Sequence, residues 1–346
     1  MCDTRNARCE EMRKTTAAFL AITVIVLAGI GGWLLIVALN NPKTPLDEIT
    51  VAYSPFESGA LFWIAEDRGY FRQNGLNLTL KKYDSGAEAL SSVVNGEANI
   101  TVGVTEYPLV WRAFQGTPVR AVGTIDKGDF IYIVARKDRI GNISDLKGKK
   151  IGTTDGTVAE FHLGRFLMLH GMSMRDITLV DVKTPEGWVN EVVDGNIDAM
   201  CTAQPYAREA RNRLGDNALF WPAQSNQPLF ALIISTDEWI DGNPDEVERF
   251  LKALVIAEEF AIEHPEEAKK IVQERLDLDP AYMDMVWSQN QFAVTLDQSL
   301  ILAMEDEARW MIANNLTNAT EVPDFRNYVY EEGLRVVRPG SVNIIG

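Results

Sequence analysis

Residues 49–107 read ITVAYSPFESGALFWIAEDRGYFRQNGLNLTLKKYDSGAEALSSVVNGEANITVGVTEY, which alternates three short apolar runs with two helical patterns. Polar turns, most of them with glycine, follow the runs, as expected of a β-α-β-α-β unit. In such a unit the carboxyl ends of parallel strands meet at one edge of the sheet. The stretch therefore predicts an α/β layer whose turns are free to hold a small molecule.

The same alternation continues beyond this stretch, and after residue 243 the pattern is helical only. The runs that predict strands are short and rich in β-branched residues. They lie at 49–53, 77–83, 99–104, 119–124, 130–136, 150–153, 177–182, 198–202 and 229–235. Because helical patterns separate them, we predict an α/β fold with mostly parallel sheets.

Two helix starts suggest two similar lobes. Ser85 with Glu88 and Thr157 with Glu160 both fit a capping box, at corresponding places in two strand-helix units. The pattern predicts that each lobe opens a helix toward a shared cleft.

The N-terminal segment predicts a membrane anchor. No charged residue lies between Lys14 and Lys43, and residues 15–39 are apolar enough to span ~37 Å as a helix. A cleaved signal peptide has a shorter apolar region, so we read an uncleaved signal anchor, with cleavage as the alternative. Four basic residues precede the span. The predicted order is therefore a cytoplasmic tail 1–14, a span 15–39, a linker 40–47 and an extracytoplasmic remainder at the cell membrane.

Charge and cysteine content exclude several classes. The formal net charge is −16, and the chain beyond residue 14 carries 29 basic and 46 acidic side chains. Such an acidic surface argues against nucleic-acid binding. Cys201 is the only cysteine beyond the span, so no disulfide framework is expected there. Sequons that are compatible with export lie at Asn77, Asn99, Asn142, Asn315 and Asn318.

An ordered series of short motifs resembles the solute-binding proteins of ABC importers in the nitrate, sulfonate, taurine and thiamine-precursor group. The motifs are 59–71, Gly75-Leu76, Ser85-Gly86, 94–99 (VNGEAN), 134–138 (VARKD), 143–151 (ISDLKGKKI), 195–199 (GNIDA), Gln204-Pro205 and Asn243-Pro244. The resemblance covers roughly residues 48–260. It implies a two-lobed periplasmic-binding-protein type II fold that closes on a solute, with an ABC permease and its ATPase as partners. It places lobe I at 48–134 plus 236–346 and lobe II at 135–235, joined by crossing strands near Arg136 and Ser235.

The strand exits nominate ligand-binding residues, since ligands of open α/β sheets lie outside the carboxyl ends of the strands. In lobe I the candidates are Tyr53, Ser54, Pro55, Glu57, Ser85, Gly86, Thr105 and Glu106. In lobe II they are Thr154, Asp155, Gly156, Thr157, Trp188 and Gln204. The alternatives are that Glu106 and Asp155 only cap helices and that Trp188 belongs to the core; Tyr206 is expected to be a packing residue.

The exit loops are acidic. They carry Glu57, Asp84, Glu106, Asp155 and Glu186 and contain no lysine or arginine. A neutral or cationic nitrogenous ligand fits such loops better than an anion, which favours a thiamine-precursor pyrimidine over a sulfonate, taurine or nitrate. Arg112, Arg208 and Arg211 are the helix residues that could reach in and reverse this preference.

The sequence offers little for catalysis. Its three histidines lack metal-ligand spacing, and there is no cysteine cluster, nucleophile elbow or phosphate loop. We therefore predict no enzyme, no cofactor and no metal. The alternatives are an extracellular sensor domain of a membrane complex and a pyrimidine-synthesising enzyme of the same fold.

Overall fold

The structure, a computed structural model, describes residues 46–345. The predicted tail and signal anchor lie outside these residues. Within residues 46–345 no helix has both the length and the apolar character to cross a membrane.

The strands of the described chain fall close to the predicted runs. They are β1 Asp47–Tyr53, β2 Leu76–Lys82, β3 Ile100–Thr105, β4 Val119–Gly128, β5 Ile131–Arg136, β6 Lys150–Thr153, β7 Thr178–Asp181, β8 Ala199–Ala203, β9 Ala218–Pro222, β10 Leu229–Thr236, β11 Asn290–Gln291, β12 Leu296–Asp297 and β13 Val342–Asn343. The order β1 to β3 with intervening helices is the predicted β-α-β-α-β unit. Strand β9 and the two-residue strands were not predicted.

The helices lie between the strands and then fill the C-terminal part. They are α1 Ala60–Asp67, α2 Tyr70–Gln73, α3 Gly86–Val94, α4 Glu106–Phe114, α5 Val158–Leu169, α6 Pro185–Asp194, α7 Tyr206–Leu214, α8 Asp237–Gly242, α9 Pro244–Glu263, α10 Pro265–Leu276, α11 Pro280–Gln289, α12 Gln298–Ala313 and α13 Glu332–Val337. Helix α1 is buried almost throughout, and its Phe62 ring lies 5.5 Å from Phe71 and 6.4 Å from Phe250. This helix is therefore scaffold between the first sheet and α9.

Two sheets share one topology. The first has the order β11-β4-β10-β3-β1-β2 and the second β7-β6-β8-β5-β9. In each, a central strand (β1 or β6) pairs in parallel with two neighbours, and one strand (β10 or β5) joins antiparallel to the strands beside it. The sheets are thus mixed, which corrects the prediction of mostly parallel sheets. Strands β10 and β5 enter their sheets from the other lobe, and no local sequence pattern indicates the direction of such a strand. Their antiparallel pairing could therefore not be predicted from the sequence.

The chain crosses between the lobes earlier than predicted. Strand β5 belongs entirely to the second sheet and β10 entirely to the first. The crossings therefore lie at residues 129–130 and 223–228, not near Arg136 and Ser235. Within the second crossing, Ser225 and Asn226 adopt left-handed backbone angles with φ of 52° and 66°. Two adjacent non-glycine residues in this region mark a segment whose conformation is held by its surroundings.

Gln224 joins the two crossings. Its buried side chain accepts hydrogen bonds from the backbone N–H groups of Phe130 and Ile131, the latter at 2.8 Å. It donates to the carbonyls of Gly128 and Gln227, each at 3.0 Å. One amide side chain therefore satisfies backbone groups on both segments that connect the two sheets.

We expect Gln224→Ala to destabilise the protein by roughly 2–4 kcal/mol, because it leaves buried backbone groups without partners. Chemical denaturation of the full chain measures the effect. Gln227→Ala is the matched control, since its side-chain amide nitrogen has no partner, and it should change stability little. Equal losses in both variants would contradict the assigned role of Gln224.

Candidate functional site

Glu57 lies just beyond β1, where the carboxyl ends of the first sheet meet the cleft. Its side chain is 2% exposed. The Tyr282 hydroxyl on α11 donates to Glu57 Oε1 at 2.5 Å. The C-terminal helices, a weak part of the resemblance, thus supply a partner to a residue at a predicted strand exit.

Asp126 near the end of β4 completes an acidic group with Glu57, and we call these two the central acid pair. Asp126 is fully buried, and its Oδ2 accepts from Asn290 Nδ2 at 3.0 Å. Two acceptor oxygens at this place have no hydrogen-bond partner, Asp126 Oδ1 and Asn290 Oδ1. The buried Ser54 hydroxyl, just after β1, has none either. Buried acceptors without donors are costly, at about 1–3 kcal/mol each, so this arrangement suits a ligand that brings N–H donors.

The titration of the central acid pair follows from its surroundings. Burial raises the pKa of Asp126 well above its ordinary value, and the Glu57 charge raises it further. Burial also raises the pKa of Glu57, although the Tyr282 hydrogen bond opposes the shift. A cation or an N–H donor bound here would stabilise the ionised form of both groups.

Trp188 and Tyr206 form an aromatic contact in the second lobe. Trp188 Nε1 donates to Thr154 Oγ1 at 2.9 Å and to the Val182 carbonyl at 2.8 Å. The Tyr206 ring stands edge-on to Trp188 with centroids 5.2 Å apart. The pKa of Tyr206 is raised by burial and by several nearby carboxylates, including Glu57 of the first lobe. Tyr206, expected to be a packing residue, packs on Trp188 and lies within electrostatic range of Glu57.

Arg208 is the one of the three nominated arginines that reaches the site. Its guanidinium lies 5.6 Å from the Tyr282 ring centroid and 3.6 Å from Asp279 Oδ1. Arg112 bonds to Ser91 and Gln115 instead, and Arg211 lies over the Phe220 ring. A positive group therefore adjoins the central acid pair, at its Tyr282 side.

A second pair of buried acids lies where α4 meets α12, and we call Glu106 and Glu307 the α4–α12 acid pair. Glu106 Oε2 accepts from the Phe230 N–H at 3.0 Å. Glu106 Oε1, both carboxyl oxygens of Glu307 and the Tyr107 hydroxyl have no partner, and all three residues are at most 1% exposed. Burial raises the pKa of Glu106 to about 8, and burial with the Glu106 charge raises that of Glu307 well above its usual range.

Of the other predicted site residues, some make contacts elsewhere in the fold, and the rest make no side-chain hydrogen bond to either acid pair. Gln204 is buried beneath the cleft, where its backbone N–H donates to Phe130 at 2.9 Å and its Oε1 accepts from Arg208 N at 3.1 Å. Tyr53 stands edge-on to Trp63 at 4.9 Å. Ser85 caps α3 by accepting from the Glu88 N–H at 3.2 Å. The structure gives no side-chain hydrogen bond between Pro55, Gly86, Thr105, Asp155, Gly156 or Thr157 and either acid pair.

Lobe II departs from the expected capping box. Glu160 Oε2 accepts from Gly156 N at 2.7 Å, while the Thr157 hydroxyl donates to the Thr154 carbonyl at 2.7 Å. Asp155 is exposed, and its N–H donates to Asp181 at 3.2 Å. This turn is thus held by its own side chains, and Thr154 is its residue nearest Trp188.

Sequence reasoning missed Asp126, Tyr282, Asn290 and Glu307. A groove of about 320 Å³ runs beside Asp126. It is lined by Lys127, Gly128, Asp129, Asn226, Pro228, Gln289, Gln291 and Ser299. A larger groove of about 530 Å³ between α9 and α13 contains no residue of either acid pair. Within residues 46–345 no group of three or more histidine, cysteine or acidic side chains could hold a metal ion.

Comparisons with known proteins place the chain in a family. The sequence model of the NMT1/THI5-like family matches residues 58–268. A protein named as a binding protein, from Brucella abortus, is 24% identical over 231 residues, which is 64% of this chain and 69% of that protein. A 4-amino-5-hydroxymethyl-2-methylpyrimidine phosphate synthase of Saccharomyces cerevisiae is 23% identical over 236 residues, 63% of this chain and 66% of the synthase. Because one relative is named as an enzyme, the expected absence of catalysis stays a prediction.

Solved structures agree on the fold. The alkanesulfonate-binding protein SsuA from Xanthomonas axonopodis pv. citri, bound to MOPS, superposes with a TM-score of 0.71 at 18% identity, covering 83% of this chain and 99% of that one. At this identity the likeness establishes the architecture alone. The chain therefore belongs to the NMT1/THI5-like family and has the α/β fold of the periplasmic binding proteins.

Proposed function

We propose that this protein is the solute-binding component of an ABC importer, tethered outside the cytoplasm by its N-terminal segment, and that it captures a nitrogenous solute. The observation that carries the proposal is the central acid pair. Glu57 and Asp126 are buried within electrostatic range of each other, and two acceptor oxygens there, Asp126 Oδ1 and Asn290 Oδ1, lack donors. A solute with two or more N–H groups matches this set.

The lobe-lobe contacts support closure around a solute. Tyr132 on β5 donates to Gln289 on α11 at 3.5 Å, and Arg165 on α5 pairs with Asp306 on α12 at 2.9 Å. These contacts join the second lobe to the first on two different elements. Bending at the crossings would separate them, so solute binding selects the closed state that a permease recognises.

The preferred solute is a thiamine-precursor pyrimidine. Its amino group and ring nitrogens can donate to the central acid pair when protonated, and Trp188 or Tyr206 can stack on the ring. The second candidate is a sulfonate-type anion, favoured by one observation: Arg208 lies over the Tyr282 ring beside Glu57. A sulfonate would pair with this guanidinium but would meet two carboxylates at close range.

The solute that co-purifies with the full chain tests the proposal. Mild denaturation of the detergent-solubilised protein releases the bound solute, and mass spectrometry identifies it. We expect a basic heteroaromatic or amine. An alkanesulfonate would replace the preferred solute class by the second candidate, and a turnover product formed from an added pyrimidine precursor would favour an enzyme instead.

A further inference from the structure

The contact between the lobes at α5 and α12 has a fixed register. The Phe161 ring lies 5.6 Å from the Trp310 ring, and Arg165 bonds to Asp306 at 2.9 Å. Between them, a Cβ on Gly164 would lie 2.7 Å from Trp310 Nε1. The two helices thus run antiparallel, one from lobe II and one from lobe I, and the fit depends on the absent side chain at position 164. We call this contact the latch.

The latch adjoins Tyr107, which lies next to Glu106 of the α4–α12 acid pair in the sequence. The Phe161 ring lies 6.4 Å from the Tyr107 ring. Burial raises the pKa of the Tyr107 hydroxyl, and the charges of Glu160 and Glu307 raise this pKa further. Phe161 is buried in the core of the first lobe although it belongs to the second. Phe161 of lobe II therefore contributes to the packing around Tyr107 in lobe I.

The acid pair has no positive partner among the described residues. Strand β10, which packs on α4, carries no ionisable side chain. The basic groups on the other neighbouring elements are already engaged: Arg165 with Asp306, Arg326 with Asp324, and Arg112 with Ser91. His162 on α5 is fully buried, and burial lowers its pKa to about 3, so it stays neutral. Of the acids, Glu160 accepts from Gly156, and Asp306 faces Arg165.

We infer that lobe closure is proton-linked: closing the latch buries Glu106 and Glu307 together beside Tyr107, and the closed form takes up protons that the open form releases. The inference concerns regulation of the solute site and rests on the proposed function for the opening motion. It gives the protein tighter closure in acid and easier opening toward neutral pH.

The sign follows from linkage. In the proposed open form Glu106 is hydrated and its pKa returns to the ordinary value of 4.5, whereas burial in the closed form raises the pKa to about 8. Below about pH 4.5 the carboxyl group is then protonated in both states. Between these values the closed form holds an extra proton, so the closed-to-open ratio falls about tenfold per pH unit for each proton. Above about pH 8 both forms are ionised and the ratio becomes constant again.

Interlobe distance in the absence of solute tests the inference. Spin labels are attached at Lys147→Cys in lobe II and Lys270→Cys in lobe I, both 70% exposed, with Cys2 and Cys9 replaced by serine. Double electron–electron resonance then measures the distance between the two labels in the full chain in detergent. The distance distribution gives the closed and open populations. We expect the closed-to-open ratio to fall at least ~100-fold from pH 5.5 to 7.5, which is the change for one proton, and further where both carboxyl groups titrate.

Three variants make the result decisive. Glu307→Gln removes one titrating group and should flatten the pH dependence. The matched control Glu305→Gln changes a neighbouring acid on α12 that pairs with Arg309, and should keep it. Gly164→Ala should raise the open population. The pH-dependent change in the closed-to-open ratio can then be measured even where the native protein stays almost fully closed. A ratio independent of pH in both the native and the Gly164→Ala backgrounds, or an unaltered pH dependence in Glu307→Gln, overturns the inference while leaving solute binding untouched.

Discussion

Asp126→Asn should weaken solute binding and stabilise the protein at the same time. Asparagine keeps the size of the side chain and its acceptor for Asn290, but it removes the carboxyl group that the proposed solute would hold in its ionised form. Loss of a charge at a buried hydrogen bond costs about 2 kcal/mol or more, so the solute Kd should rise at least ~30-fold. Calorimetry with 4-amino-5-hydroxymethyl-2-methylpyrimidine measures this.

The gain in stability follows from the raised pKa of Asp126. The unfolded chain ionises this group near pH 4, whereas the folded chain resists ionisation. Below pH 4 Asp126 therefore has no effect on the free energy of unfolding. As the pH rises above 4, Asp126 lowers this free energy, by up to about 1.4 kcal/mol for each unit by which its pKa is raised. Denaturation at pH 4 and pH 8 should show a gain for Asp126→Asn at pH 8 only. A loss at both values would show that Asp126 is structural.

Gly164→Ala should weaken solute binding by roughly tenfold or more without unfolding the protein. The new methyl would meet Trp310 Nε1 at 2.7 Å, and Trp310 belongs to the other lobe. Overpacking of this kind costs about 1–3 kcal/mol, and opening of the lobes relieves it. In the helix itself, alanine is better than glycine by about 0.5–1 kcal/mol.

Gly242→Ala is the matched control, because a Cβ there meets nothing within 4 Å. Both variants are compared by calorimetry with the same pyrimidine and by thermal unfolding. We expect weaker binding only in Gly164→Ala, with unchanged or slightly raised stability. Unaltered affinity in that variant would mean that the latch does not close around the solute.

The strands of the first unit could be predicted because their signals are local. β1, β2 and β3 are short apolar runs followed by turns, and each lies within a residue or two of its predicted bounds. The direction of β5 and β10 is a property of the chain crossing between lobes, which no local pattern records. The prediction of mostly parallel sheets failed there.

The site was predictable in part for the same reason. Glu57, one of the predicted residues after the end of β1, belongs to the central acid pair, and whether that pair binds the solute stays a prediction. Asp126 was missed because the sequence Asp126-Lys127-Gly128 looks like a turn, although β4 extends through it with Asp126 fully buried.

Residues of the helical tail were missed for a different reason. Glu307 lies in a charged stretch of α12 and Tyr282 in a mostly apolar helix, and nothing in either spacing marks a polar group that is buried beside a carboxyl group. The packing of α12 on α4 buries Glu307, and the hydrogen bond to Glu57 positions Tyr282.

The ligand class is the central claim, and competing titrations test it most directly. Calorimetry of the full chain compares 4-amino-5-hydroxymethyl-2-methylpyrimidine with an alkanesulfonate, in the native protein, in Asp126→Asn and in Arg208→Gln. The account predicts tight binding of the pyrimidine that depends on Asp126 and little binding of the sulfonate. Tight sulfonate binding that is lost in Arg208→Gln and unaffected by Asp126→Asn would contradict it.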